Sequence, residues 1–138
     1  MADFRLDHVA IAVHEIEPAL KLFRDTFGAK YLFDGPIDAG DGRGSWRWYQ
    51  MTLPEGGTIE LLEPITDGFL TKFLAKRGEG MHHITLKTKD IRAAIDRIQS
   101  NGYELVDVNL DNDDWKEAYL RPKQSHGTLI QIAQSKWD

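Results

Sequence analysis

Four polar side chains stand at matching places in the two halves of the sequence, and their types suit a divalent metal ion. His8 and His83 lie 75 residues apart, each in an alternating apolar run. Glu60, in the run TIEL, has its counterpart in Gln131, in the run LIQI. Two imidazoles, a carboxylate and an amide oxygen bind Co, Mn, Ni, Zn, Mg or Fe and leave room for water. We therefore predict a divalent-metal site formed by His8, Glu60, His83 and Gln131. The alternative is a polar core network without metal.

The spacing of the two histidines belongs to a longer internal repeat. The same offset relates Ile16 to Ile91 and Leu20 to Ile95, without a gap. A fixed offset of this kind indicates a duplicated structural unit. Equivalent strands of a duplicated fold would bring the histidines to face each other, which is the basis of the predicted site.

The residue pattern within each copy predicts a strand followed by a helix. Apolar side chains alternate with others from His8 to Val13 and again from His83 to Lys87, which is typical of strands. The next segment changes to helical spacing, with its apolar face formed by Ile16, Ala19, Leu20, Phe23 and Phe27. If each helix covers the apolar side of its sheet, the predicted core includes Val9, Ile11, Ile84 and Leu86. The faces that carry His8 and His83 would line something else.

Three strand candidates follow each helix. They are residues 29–33, 45–53 and 58–63 in the first half and residues 103–108, 115–120 and 128–133 in the second. The predicted fold class is therefore α+β, with two tandem βαβββ modules whose sheets form a metal-binding cleft. We place a single domain over residues 1–138, with modules at 5–64 and 80–134 and a linker with a short helix at 65–79.

Composition narrows the functional classes. The chain has 138 residues, a formal charge of −5, 41% hydrophobic residues and no cysteine. Without cysteine there are no disulfides, catalytic thiolates or cysteine-ligated metals. The negative charge disfavours nucleic-acid binding, and the sequence has neither the apolar run of a membrane span nor that of a signal peptide. We expect a soluble cytoplasmic protein that binds neither nucleic acid nor membrane.

These residues carry a family resemblance that extends over about residues 5–134. The runs that carry it are LDHVAIAV (6–13), IELLEP (59–64), GEGMHHI (78–84), LRPK (120–123) and GTLI (127–130). They resemble the vicinal oxygen chelate superfamily, which has the glyoxalase, bleomycin-resistance and dioxygenase fold, and within it the methylmalonyl-CoA epimerases. The resemblance implies paired βαβββ modules, a homodimer, and metal ligands at His8, Glu60, His83 and Gln131. His82 is left out because strand alternation turns it to the opposite face.

The sequence departs from the epimerase pattern at two places. Epimerases usually have a glutamate where this chain has Gln131, and that glutamate is both ligand and proposed base. An amide cannot accept the proton. They also have a second glutamate on the strand leading into the first hairpin, whereas residues 38–50 contain none. Glu60 keeps one carboxylate at the site, and Gln131→Glu is expected to raise activity if the lost carboxylate limits it.

The resemblance implies a metal-dependent isomerase that acts on an acyl-CoA or similar small molecule through a metal-stabilised enolate. Glu60 is the candidate base, or only a ligand. Tyr49 and Glu117 are further proton-transfer candidates on neighbouring strands. A CoA phosphate would suit the basic residues Lys72, Lys76, Arg77, Arg121 and Lys123.

Two alternatives remain open. One is a glyoxalase I-like lyase that acts on a thiol adduct. The other is a protein that sequesters a small aromatic molecule, as bleomycin-resistance members do, with a surface formed by Trp46, Trp48, Tyr49 and Trp115. A ring-cleaving dioxygenase ranks lower, because Gln131 would crowd an iron site of two histidines and one carboxylate.

Overall fold

The structure, a computed structural model, describes residues 3–38 and 42–137. Within them, the order of strands and helices is β-α-β-β-β twice, with one helix between the copies. The first copy contains β1 (Arg5–Ala12), α1 (Ile16–Leu20) continued by a π-helical stretch (Lys21–Thr26), β2 (Lys30–Asp38), β3 (Ser45–Thr52) and β4 (Thr58–Pro64). After α2 (Phe69–Arg77) come β5 (Gly80–Lys87), α3 (Ile91–Ser100), β6 (Val106–Asn109), β7 (Trp115–Leu120) and β8 (Ile130–Ser135). This order confirms the predicted α+β class and both βαβββ modules.

The chain forms two compact units whose limits fall inside β1 and β5. Unit A is Val9–His82, and unit B combines Met1–His8 with His83–Asp138. The module limits at 5–64 and 80–134, derived from the repeat, stay a prediction. None of the helices in the described ranges has the length and apolarity needed to cross a membrane.

Unit A has strand order β2-β3-β4-β1, with β1 and β4 parallel. The pairing sets Ala10 opposite Glu60. One apolar cluster joins α1 to the sheet through Ile16, Leu20, Met51 and Leu61, with Ile11 at its edge. A second joins α2 to Ala10, Ala12 and Leu62 through Leu70 and Leu74. Helices therefore pack on both faces of this sheet.

The core prediction for the central strands was wrong in part. Val9, Ile11, Ile84 and Leu86 are only half-buried, whereas Ala10 and Ala12 are fully buried. Ala10 and Ala12 are buried because α2 covers the alanine face of β1. Alternation identifies the two faces of a strand but does not say which one another element will cover.

Phe27 also differs from the expected pattern, with 55% of its surface exposed. The backbone after Leu20 widens from α to π geometry, so that the Phe27 amide donates to the Leu22 carbonyl. A π-helical turn contains more residues than an α turn, and the apolar stripe loses its phase. Ile16 and Leu20, which precede the change, are buried as predicted.

Unit B has strand order β5-β8-β7-β6, with β5 and β8 parallel. Its helix α3 is capped by Asp90, whose side chain accepts a hydrogen bond from the Ala93 amide at 3.1 Å. Ile91, Ala94 and Ile95 pack against Ala118 and Ile132. The other face carries polar side chains, and the register sets Thr85 and Tyr119 opposite Gln131 on either side of β8.

Candidate metal centre

His8 and His83 come together, as the repeat predicts. Their ring centroids are 5.8 Å apart with an interplanar angle of 72°. The two residues are 3% and 8% exposed, so their nitrogens lie in a largely dry environment. Edge-to-face imidazoles at this spacing can direct nitrogens to a shared point.

Glu60 adds a carboxylate to this pair. Each of His8, Glu60 and His83 offers one ligand atom within 4.8 Å of the others. The position follows from β1–β4 pairing, because Glu60 lies opposite Ala10, two residues along β1 from His8. The donor set therefore fits a divalent cation. Gln50, opposite Glu60 on β3, donates from Nε2 to Glu60 Oε2 at 2.6 Å.

Gln131, the fourth predicted ligand, lies beside this group. Its Oε1 accepts a hydrogen bond from Thr85 Oγ1 at 2.6 Å, and the same hydroxyl oxygen is 3.0 Å from His8 Nε2. The amide oxygen is therefore one hydroxyl away from the histidine. Sequence reasoning missed Thr85, which is fully buried. The available signal was the repeat, in which Thr85 corresponds to Ala10 and replaces a methyl group with a hydroxyl.

Asp7 orients His8. Its Oδ2 is 2.8 Å from His8 Nδ1, and Lys87 Nζ is 3.6 Å from Oδ1. Burial tends to raise the pKa of Asp7, but the hydrogen bond with His8 and the charge of Lys87 outweigh it and lower the pKa overall. An ionised carboxylate only accepts hydrogen bonds, so Nδ1 carries a proton and Nε2 is the ring nitrogen left to face Thr85 and the predicted metal. Carboxylate–histidine pairs of this kind are common around metal ions.

Removing this carboxylate is expected to weaken metal binding while leaving all the predicted ligands in place. For Asp7→Ala we expect about a 10-fold loss of Co²⁺ affinity, because the imidazole loses its fixed tautomer and orientation. Titration calorimetry measures the affinity, with Asp3→Ala as the control at an exposed position of the same segment. Equal affinity of the two variants would show that Asp7 does not orient a ligand.

Glu117 and Tyr119 on β7 contact the other end of the Gln131 amide. Gln131 Nε2 donates to Glu117 Oε1 at 3.1 Å and is 2.9 Å from the Tyr119 hydroxyl. Trp115 Nε1 donates to the same Glu117 oxygen at 2.8 Å. Of the two further proton-transfer candidates, Glu117 therefore borders the predicted ligands. Tyr49 instead packs at the edge of the α1 cluster.

His82 has a different environment from its neighbour His83. Its ring centroid lies 5.3 Å from that of Phe69 and 5.0 Å from that of Phe73, both on α2. Burial lowers the pKa of His82 to about 4, against a smaller opposing effect of Glu60. His82 is therefore a half-buried, neutral imidazole that packs against two phenyl rings of unit A.

The surroundings of α2 concern the predicted aromatic ligand surface and the predicted contacts for a CoA phosphate. Trp46 and Trp48 pack against the α2 cluster, and Trp46 stacks edge-on against Phe69 at 5.0 Å. Both indole rings therefore form part of the packing of unit A. The helix exposes three cations and has no acidic residue, and its basic side chains are Lys72, Lys76 and Arg77.

Residues 7–119 match the Glyoxalase/Bleomycin resistance protein/Dioxygenase superfamily, and the chain belongs to it. The ethylmalonyl-CoA/methylmalonyl-CoA epimerase of Cereibacter sphaeroides is 34% identical over 135 residues, which cover 94% of this chain and 97% of that protein. The crystal structure of methylmalonyl-CoA epimerase from Mycobacterium tuberculosis has 27% identity and a TM-score of 0.80, over 94% of this chain and 87% of that one. A Streptomyces coelicolor methylmalonyl-CoA epimerase variant in complex with 2-nitronate-propionyl-CoA has 29% identity and a TM-score of 0.78, over 96% and 97% of the two chains. The predicted superfamily and fold are confirmed.

Proposed function

We propose that this protein is a divalent-metal-dependent epimerase of 2-carboxyacyl-CoA thioesters such as methylmalonyl-CoA. The observation that carries the proposal is the buried group of His8, Glu60 and His83, whose ligand atoms lie within 4.8 Å of one another. Epimerase relatives along nearly the whole chain support the substrate class.

The reaction requires loss and return of the proton between two carbonyl groups. A divalent cation at this site would supply Lewis-acid stabilisation of the negative charge that develops on the substrate oxygens. His8 and His83 would hold it through neutral nitrogens, and Asp7 fixes the proton on the far nitrogen of His8. Gln131 would add an amide oxygen and no charge. Burial of these side chains excludes water and strengthens their electrostatic effect.

Glu60 is the proposed base. It is the carboxylate of the three-residue group, and Gln131 cannot accept a proton at the position where epimerases have a second one. The hydrogen bond from Gln50 holds Glu60 Oε2, so the side chain is fixed in direction before substrate binds. A fixed base within reach of the α-carbon contributes about 10²–10⁴-fold to such a proton transfer.

Interconversion of the two substrate epimers is the experiment that tests the proposal. The metal-loaded protein should interconvert the two epimers of methylmalonyl-CoA or ethylmalonyl-CoA, and propionyl-CoA, which lacks the second carboxyl group, should not lose its α-proton. Absence of epimerisation with every 2-carboxyacyl-CoA, together with turnover of a glutathione hemithioacetal, would favour the lyase instead. Sequestration has no specific support, because Trp46 and Trp48 pack against α2.

The exposed cations of α2 are the proposed contact for the CoA phosphates. The double variant Lys72→Glu/Lys76→Glu should raise KM for methylmalonyl-CoA about 10-fold at low salt, with kcat little changed, because a screened charge reversal of about 1.4 kcal/mol corresponds to a tenfold affinity change. Steady-state kinetics at two ionic strengths measure the effect, which should shrink at high salt. Lys89→Glu is the control, since Lys89 is exposed before α3. Equal KM values for both variants would remove α2 from the substrate site.

The resemblance to epimerases predicts a gain of activity for Gln131→Glu if the lost carboxylate limits it, and the geometry changes that expectation. The new carboxylate would face Glu117, whose Oε1 is 3.1 Å from the present Nε2. Two like charges at that distance repel each other. We therefore expect Gln131→Glu to lower the melting temperature by about 3–6 °C and to lose activity, and Gln131→Glu/Glu117→Gln to recover both. Thermal unfolding and epimerase rates measure this, and a fully stable single variant would contradict the expected clash.

A further inference from the structure

We infer that Glu117 is a positioning residue that sets which end of the Gln131 amide faces His8. The inference deepens the proposed function and rests on it where metal binding is concerned. In the observed arrangement Nε2 faces Glu117 and Tyr119, and Oε1 faces Thr85 and, through its hydroxyl, His8.

The orientation of a glutamine amide is decided by its hydrogen-bond partners, because the oxygen and nitrogen ends have nearly the same shape. The Tyr119 hydroxyl does not decide it, since it can either donate or accept, and the Thr85 hydroxyl donates to one of its two partners, Gln131 and His8, while accepting from the other. An ionised carboxylate can only accept. Glu117 is therefore the contact that requires the NH₂ end on its side and leaves the oxygen end for Thr85 and His8.

Glu117 is itself held in place. Trp115 Nε1, which can only donate, binds the same carboxylate oxygen at 2.8 Å. Lys87 Nζ lies 5.2 Å from the centroid of the Trp115 ring and 3.6 Å from Asp7 Oδ1. A closed chain of contacts thus runs from Asp7 through His8, Thr85, Gln131, Glu117, Trp115 and Lys87 back to Asp7. Every member lies in unit B.

The orientation matters for a cation beside His8 and His83. An amide oxygen is a ligand for divalent metals, whereas the NH₂ end carries partial positive charge and would repel one. Without Glu117, no carboxylate holds the NH₂ end of Gln131 on the β7 side. The amide can then also turn around, with its NH₂ end toward Thr85 and His8. The fourth ligand should then be presented only part of the time, and metal affinity should fall.

Substitutions of Glu117 and Gln131 test this positioning role. Glu117→Ala should weaken Co²⁺ binding about 10-fold, as second-sphere changes commonly do, and should have no further effect in a Gln131→Ala background. Glu117→Gln should stay within about 3-fold of wild type, because the Trp115 N–H directs the new amide oxygen to the place of the carboxylate. Glu55→Ala, in the exposed turn between β3 and β4, is the control. Calorimetric titration with Co²⁺ measures all of these affinities.

A second readout needs no metal. In ¹⁵N-edited NMR spectra of the metal-free protein, the Gln131 NεH₂ protons should give Overhauser contacts to the rings of Trp115 and Tyr119. These should weaken in Glu117→Ala and persist in Glu117→Gln.

The two readouts separate the inference from the proposed function. Wild-type affinity in Glu117→Ala with unchanged NMR contacts would overturn the positioning role and leave the metal site standing. A wild-type protein that binds no divalent ion would overturn the proposed function, and the NMR contacts alone would then decide whether Glu117 orients the amide.

Discussion

His83→Ala should reduce Co²⁺ affinity by about 100-fold or more and abolish epimerisation. The substitution removes one of two imidazoles from the three-residue group, and the loss of a ligand bond costs about 3 kcal/mol or more, which corresponds to at least that factor. The remaining histidine and carboxylate cannot replace it from their own strands. Calorimetric titration and metal analysis of the purified variant measure the loss.

The adjacent histidine provides a matched control. His82→Ala removes a ring that contacts Phe69 and Phe73, so it should lower the melting temperature while Co²⁺ affinity stays within about 3-fold of wild type. At neighbouring positions of one strand, His83→Ala should therefore lose metal affinity, whereas His82→Ala should lose thermal stability. Metal loss in His82→Ala with retention in His83→Ala would reverse the ligand assignment.

Glu60→Gln should lower the rate of α-proton exchange about 10³-fold, because the amide cannot accept the proton and general-base catalysis contributes roughly that factor. Metal affinity should fall less, about 10-fold, since an amide oxygen still coordinates a divalent ion. Exchange rates at saturating Co²⁺ separate the two effects.

Glu63→Gln is the control on the same strand. Glu63 Oε1 accepts a hydrogen bond from the Ile16 amide at 3.1 Å, and a glutamine oxygen can do the same. Its exchange rate should match wild type. Near wild-type exchange in Glu60→Gln would leave Glu60 a ligand only, which is the alternative that the sequence leaves open.

Most of the fold follows from the repeat and its periodicities. The strand predicted at 115–120 is observed as Trp115–Leu120, and the one predicted at 45–53 as Ser45–Thr52. The covered face of β1 could not be predicted, because it depends on where α2 packs. The apolar phase beyond Leu20 could not be predicted either, since one extra residue in a helical turn leaves no clear mark in the sequence.

The candidate site could be predicted as a set of residue types but not as a network. The repeat identifies His8 and His83, and the matching strands identify Glu60 and Gln131. The contacts of Asp7, Thr85 and Glu117 depend on strand register and side-chain rotamers. Glu117 reaches Gln131 diagonally across an antiparallel pair whose register is set by the loop between them, and the sequence does not fix that register.

Hydrogen–deuterium exchange at the α-carbon of methylmalonyl-CoA is the sharpest test of metal-dependent proton removal by this protein. In D₂O, the protein loaded with Co²⁺ should incorporate deuterium from solvent, a chelator should stop the incorporation, and added Co²⁺ should restore it. Exchange that continues at the same rate in metal-stripped protein would overturn the proposed function, because a metal held by His8, Glu60 and His83 would then have no part in making that proton acidic.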